Sequence, residues 1–376
     1  MCRSLCSRLA VLIALGLAAC STSAPAASRP PPAPAAPSGA AAPAVAPSAP
    51  PPAAAAPTAP PALTRIKIAT TPSISNGGRY IADERGYFRE EGIEMEEVSS
   101  DTSAQMLPSL AAGQIEIGGG GVAAGLFNAI AQGIPVRIVL DQWTAYPGNG
   151  AGGIIVRKDL ADGGRVRDFA DLRGLNVAIT SKGQATQYGL AMGLAKGGLT
   201  LADVETTEMP YPDMTVALGN RSVDAAVTIE PYAAAAVAQG FAARFKPWPE
   251  LIPNDNPAMQ MYSQTFADER NDAARHYARA YVRGLRAYND ARTKGTDRDE
   301  IIAILIKNTP LKERAIYDQM PWPSNNPDGR VNPETIGAAQ DWFVDHGYVA
   351  NKVDLTKVID NQFADYAVQQ LGSYQP

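Results

Sequence analysis

Three times between residues 65 and 186, a short apolar run ends in a loop rich in glycine and hydroxyl side chains, and a helical stretch follows at once. Arg65-Ile66-Lys67-Ile68-Ala69-Thr70 alternates polar and apolar residues as a strand does, residues 71–78 form the loop, and residues 79–89 carry helical spacing. Residues 114–118, the glycines 119–121 and residues 122–131 repeat the unit; residues 176–180, 181–186 and 187–197 repeat it again. A helix that follows a strand must carry the chain back across the sheet, so such units in series demand parallel strand neighbours. The chain therefore reads as α/β.

Further strands fall at 93–98, 136–140, 153–157, 205–209 and 223–229, and the pattern runs through twice. Two similar half-units imply two lobes. We expect the first part of lobe 1 over residues 63–155, lobe 2 over 156–257, and over 258–376 a return to lobe 1 with C-terminal helices, of which 270–294 is the longest. The crossovers are expected near 152–157 and 257–263.

The first 62 residues follow other rules. Arg3 and Arg8 flank the start of an apolar run at 9–17, too short to span a bilayer but matched to a secretory signal peptide. Leu17-Ala18-Ala19-Cys20 resembles a bacterial lipobox, which makes residues 1–19 a signal peptide and Cys20 the lipidated first residue of the mature chain. From there to residue 62 the sequence is dominated by Ala and Pro. Proline removes donors and holds φ, so this stretch is expected to be an extended tether.

Composition excludes several chemistries. The chain has three cysteines, Cys2, Cys6 and Cys20, all at the N-terminus, so the body has no disulfide framework, thiolate metal site or cysteine nucleophile. With 33 Lys plus Arg against 38 Asp plus Glu, and no basic block, a nucleic-acid binder is not expected. The two histidines, His276 and His346, lie far in sequence from every glycine loop. There is no Gly-Xaa-Ser-Xaa-Gly elbow and no phosphate loop. We expect no enzyme, no metal and no cofactor; were catalysis present, Glu230 and Asp213 would be its acid/base candidates.

Several segments resemble a known family. Asn76-Gly77-Gly78-Arg79-Tyr80-Ile81-Ala82, Arg85-Gly86-Tyr87-Phe88-Arg89-Glu90-Glu91-Gly92-Ile93 and Leu110-Ala111-Ala112-Gly113-Gln114-Ile115-Glu116-Ile117-Gly118 look like the substrate-binding proteins of nitrate, sulfonate, taurine and thiamine-precursor ABC importers. Asp171-Leu172-Arg173-Gly174-Leu175-Asn176-Val177-Ala178 resembles the start of that family's second lobe, and Glu230-Pro231-Tyr232 one of its turns. The resemblance spans residues 65–265. It implies a two-lobed periplasmic-binding-protein fold of type II, each lobe a mixed, mostly parallel sheet flanked by helices, with a hinge between them. It further implies a periplasmic protein that captures a small molecule and hands it to a permease with its ATPase; with the lipobox, the chain is expected to be a lipid-anchored monomer. Relatives of the fold include pyrimidine synthases and a desulfinase, so a synthase-like enzyme is one alternative. A sensing lipoprotein not coupled to transport is another.

The loops fit capture. Each lies between a strand's C-terminal end and a helix N-terminus, where unpaired N–H groups and a partial positive charge face outward. Ser73, Asn76, Gly78, Gly120, Gly121 and Trp143 are the expected contacts of the first lobe. Ser181, Gln184, Thr186, Tyr211, Asp213 and Glu230 are those of the second. Arg79 and Lys182 stand near helix starts and suggest an anion such as nitrate, a sulfonate or a carboxylate. Trp143, Tyr146, Tyr211 and Tyr232 suggest instead a planar heterocycle or an aromatic acid. Trp248 and Trp322, each between prolines, read as structural pins away from the ligand.

Overall fold

A computed structural model describes residues 62–100 and 103–376. The expected signal peptide, Cys20 and the tether up to residue 61 lie outside the described residues. Among the described residues there are ten strands: β1 Thr64–Thr70, β2 Ile93–Ser99, β3 Ile117–Gly121, β4 Val136–Ala145, β5 Gly153–Arg157, β6 Asn176–Ile179, β7 Glu205–Glu208, β8 Ala225–Thr228, β9 Ala242–Pro247 and β10 Asp255–Ser263. They form two five-stranded sheets of the same plan, β2-β1-β3-β10-β4 and β7-β6-β8-β5-β9.

In each sheet the first three strands are parallel, as strand–loop–helix units require, and the last two pairings are antiparallel. The fourth position belongs to a strand that has just crossed between lobes: β5 enters the second sheet, and β10 returns to the first. Two corrections follow. β5 pairs with β8 and β9, so the crossover lies between β4 and β5, ahead of residue 153, and the first lobe's opening segment is shorter than the sequence suggests. β9 has no counterpart in the expected strands; it pairs with β5 at the second sheet's edge.

The glycine run is the other departure. Gly119, Gly120 and Gly121 are strand residues of β3, opposite Gln260, Met259 and Ala258 of β10. Glycine is a poor strand former in isolation; here β10 pairs with all three, and β1 pairs with Gly119 on the other side. The absence of side chains leaves the sheet face bare where β3 ends.

The C-terminal helices cover the first sheet. Helix Asn271–Thr293 buries Ala274, Tyr277, Ala278, Tyr281, Val282 and Leu285 at three- and four-residue spacing, against Ile66, Ile68 and Tyr262. Fully burying each such aromatic or aliphatic side chain contributes ~1.5–3 kcal/mol. The other face packs Met259 and Met261 against Phe127, Trp342 and Phe343. Among the described residues no helix is long and apolar enough to cross a membrane.

Candidate functional site: a pocket between the two sheets

The C-terminal ends of strands from both sheets converge on one pocket. Thr71, Ser73 and Ser75 reach it from the loop after β1, Gly119–Gly121 from β3, and Gln142 and Trp143 from β4. The second lobe supplies Thr180, Gln184, Ala185 and Thr186 after β6, Tyr211, Ile229 after β8, and Trp248; Pro257 and Ala258 come from the returning β10. This is where ligands lie in open α/β sheets, outside the carboxyl ends of the strands. The space open to the centre of a water-sized sphere is about 60 Å³. At ~10–15 Å³ per water centre that accommodates a handful of waters, hence a single small ring or a compact polyatomic group.

The lobes touch on both rims. On one, Ala124 N–H donates to Gly183 O at 2.8 Å and Ala123 forms a β-bridge with Gln184. On the other, Ile74 N–H donates to Glu230 O at 3.4 Å, and the Tyr232 hydroxyl donates to Pro72 O at 3.2 Å. Inside, the indoles of Trp143 and Trp248 approach to 5.4 Å between centroids. The Trp248 N–H donates to Asp255 Oδ2 at 2.9 Å. Burial pushes the Asp255 carboxyl up to about 7, while that indole N–H and the Asn256 backbone pull the other way. Asp141, on β4 just before Gln142, is likewise raised to about 7 by burial, against donors that include the Asn326 backbone N–H. Its Oδ1 accepts from Asn256 of β10 at 2.5 Å, tying β4 to β10.

The hydroxyls of the cradle are partly engaged among themselves. Ser73 and Ser75 share a hydrogen bond at 2.6 Å, and Thr186 Oγ1 accepts from Thr180 N–H at 3.0 Å, locking the first turn of helix Ala185–Lys196 to the loop before it.

Of the residues expected from sequence, Ser73, Gly120, Gly121, Trp143, Gln184, Thr186 and Tyr211 line the pocket. The others stand elsewhere. Arg79 is buried and donates to Glu97 Oε1 at 2.7 Å; a carboxylate, rather than an anionic ligand, answers its charge. Gly78 serves helix packing, since a Cβ there would meet Leu285 at 2.7 Å. Asn76 is buried beneath the lining. Tyr146 is exposed, and Ser181 and Lys182 lie outside the lining; the Lys182 backbone N–H donates to Glu208. Asp213 is exposed in the first turn of helix Tyr211–Gly219, a favourable place for an acid at a helix start. Glu230 is buried against Arg244 at 2.6 Å, and Tyr232 stacks on Tyr211 at 5.8 Å from behind.

Sequence reasoning missed Gln142, Thr180, Trp248, Pro257 and Ala258. Trp248 corrects the expectation that it only pins the return segment, whereas Trp322 is buried in a separate core beside Tyr288. A signal for Gln142 was present: a polar pair, Asp141-Gln142, directly after the apolar run Ile138-Val139-Leu140. His276 lies beside Glu91 and His346 stacks on Trp342 at 4.2 Å, both outside the lining. Among the described residues no group of three or more His, Cys, Asp or Glu is placed to hold a metal ion.

Comparison with known proteins places this geometry. The alkanesulfonate-binding protein SsuA from Xanthomonas axonopodis pv. citri, bound to MOPS, has a TM-score of 0.65 at 21% identity, over 81% of this chain and 100% of that one. The periplasmic nitrate-binding protein NrtA from Synechocystis PCC 6803 has a TM-score of 0.65 at 17% identity, over 82% and 89%. The desulfurization enzyme DSZB has a TM-score of 0.58 at 14% identity, over 82% and 99%. At such identities the likeness establishes the fold. No curated protein sequence matches the chain. The model of the NMT1-like family matches residues 59–306, about two thirds of the sequence, and the chain belongs to that family.

Proposed function

We propose that the protein is an extracytoplasmic solute receptor, held to a bacterial membrane by lipid on Cys20, that delivers its ligand to the permease and ATPase of an ABC importer. One observation carries the reading: a single pocket is built from the strand ends of both lobes, and lobe-to-lobe hydrogen bonds close both of its rims. A solute touching both lobes favours the closed form in proportion to the contacts it makes only there. The match to the NMT1-like family and the fold shared with sulfonate- and nitrate-binding proteins support the same reading. The fold alone does not decide between receptor and enzyme, since a desulfurization enzyme shares it. The lining favours the receptor: it offers hydroxyls, amides, glycines and aromatic rings, and no carboxylate, imidazole or thiol for acid/base or nucleophilic work.

Intrinsic fluorescence tests this directly, because Trp143 and Trp248 wall the pocket. Titration of the mature chain with a library of sulfonates, nitrate, carboxylates and small heterocycles should yield at least one saturable emission change, with the solute recovered unaltered. A library without binders, or a ligand converted on incubation, refutes the receptor reading.

A further inference from the structure

A tyrosine outside the pocket joins the two lobes at the loop that leads into Gln184, Ala185 and Thr186. Helix Pro333–Asp345 packs on the first lobe through Trp342 and Phe343, and Gly347, with φ of +75°, turns the chain back after it. The next residue, Tyr348, is anchored to that lobe by its backbone. Its N–H donates to Phe343 O at 2.8 Å, and its carbonyl accepts from Asn128 Nδ2 of helix Ala124–Ala131 at 2.7 Å. The ring lies nearly parallel to that of Trp342, at 5.9 Å between centroids. The hydroxyl reaches the other lobe, where it accepts from Nε2 of Gln187, in helix Ala185–Lys196, at 2.8 Å.

The Gln187 amide can stand only one way round. Its Oε1 accepts from the Gly183 backbone N–H at 2.7 Å; a backbone N–H only donates, so the oxygen belongs there and the nitrogen faces Tyr348. Gln187 is 3% exposed, so a partner it loses is not simply replaced by bulk water. Gly183 O in turn accepts from Ala124 N–H, and Ala124 opens the helix whose Asn128 holds Tyr348. The circuit runs from the first lobe through Tyr348, Gln187 and Gly183 and back to the first lobe. Gly183 has φ of +71°, and a Cβ there would stand 3.2 Å from Ala124 Cβ, so the loop meets the first lobe backbone to backbone. Tyr188, beside Gln187, adds a ring contact to Trp342 at 5.5 Å. Gln184, Ala185 and Thr186 line the pocket, whereas Tyr348 and Gln187 stand outside it.

We infer that Tyr348 is a positioning residue for solute capture: its hydroxyl, acting through Gln187, fixes the 181–186 loop against the first lobe and stabilises the closed pocket without touching the solute. This rests on the pocket being the solute site, as proposed above. The larger the closed fraction before binding, the tighter the apparent affinity for any solute that binds only the closed form.

Amide hydrogen exchange of the mature chain, followed by NMR at one pH with no solute added, tests the inference. Ala124 N–H is the first of its helix and has no acceptor there, so its protection reports the lobe contact with Gly183 O. Tyr348→Phe removes the hydroxyl and leaves the ring. It should speed exchange at Ala124 ~2- to 10-fold, as the loss of one net hydrogen bond does, while the strand amides of β1 and β6 keep their protection. Gln187→Met should speed Ala124 exchange at least as much, and adding Tyr348→Phe to it should bring no further change. Exchange at Ala124 that Tyr348→Phe leaves unaltered, or that the two substitutions speed independently of one another, overturns the inference. So does faster exchange spread equally over β1 and β6, which would make Tyr348 a prop of the whole fold. None of these outcomes involves a solute, so the receptor reading is decided separately by the fluorescence library.

Discussion

Replacing Asp255 with Asn should make the protein more stable at alkaline pH and flatten its pH dependence. The Asp255 carboxyl is buried, and its side-chain donor is the Trp248 indole N–H. Burial raises it from 3.8 to about 7. The sign follows from linkage: between those values the folded chain holds a proton that the unfolded chain has released, so stability falls as pH rises from about 4 and levels off above about 7. Three pH units at ~1.36 kcal/mol each put the loss on the order of 4 kcal/mol at most. Asn cannot ionise, and its Oδ1 can still accept from the indole, so the wall of the pocket is retained. Urea unfolding at pH 4.5, 6 and 8 is the assay. The variant should match the parent to within about 1 kcal/mol at pH 4.5 and exceed it by a few kcal/mol at pH 8. Asp141, raised to about 7 for the same reason, remains and keeps part of the slope. A variant no more stable than the parent at pH 8, or a slope that does not change, refutes the reasoning.

Two other outcomes follow from the packing. Tyr232→Phe deletes the hydroxyl that donates to Pro72 O across one rim; at ~0.5–1.5 kcal/mol for a net hydrogen bond, ligand affinity by calorimetry should drop ~2- to 10-fold with melting little changed, and an unaltered affinity would show that this contact does not hold the lobes together. Gly284→Ala should destabilise the first lobe, because its Cβ would lie 2.0 Å from the Gly78 carbonyl oxygen. Overpacking of this kind costs ~1–3 kcal/mol or more, so the melting temperature should fall by several degrees; no fall would mean that the two helices separate freely.

How much was legible in advance can be argued from particular residues. The β1 run with its loop, and the β6 run with its loop, announced both the parallel strands and half of the pocket, because strand alternation, glycine and hydroxyl placement and helix starts are local properties. Ser73, Gln184 and Thr186 were found that way. Arg79 was misplaced for a non-local reason: its partner Glu97 lies on β2, and only the pairing of β2 with β1 brings that carboxylate within 2.7 Å. Trp248 and Ala258 were missed because each reaches the pocket only through the return of the chain from β9 to β10. The glycines of β3 read as loop because their strand character comes from partners distant in sequence, β10 along the whole run and β1 at Gly118 and Gly119.

By itself, then, the sequence determined the α/β class, the doubling into two lobes, the family segments and the polar character of the loops, all of which follow from periodicity and residue type along the chain. Tertiary structure alone decided which lobe β5 and β10 join, which charges are spent on one another, and that Asn76, Gln142 and Trp143 each keep a buried polar atom without a partner. The physical reason is that hydrogen-bond satisfaction and charge pairing belong to contacts between residues far apart in the chain, and no local pattern records whether a buried group has found its partner.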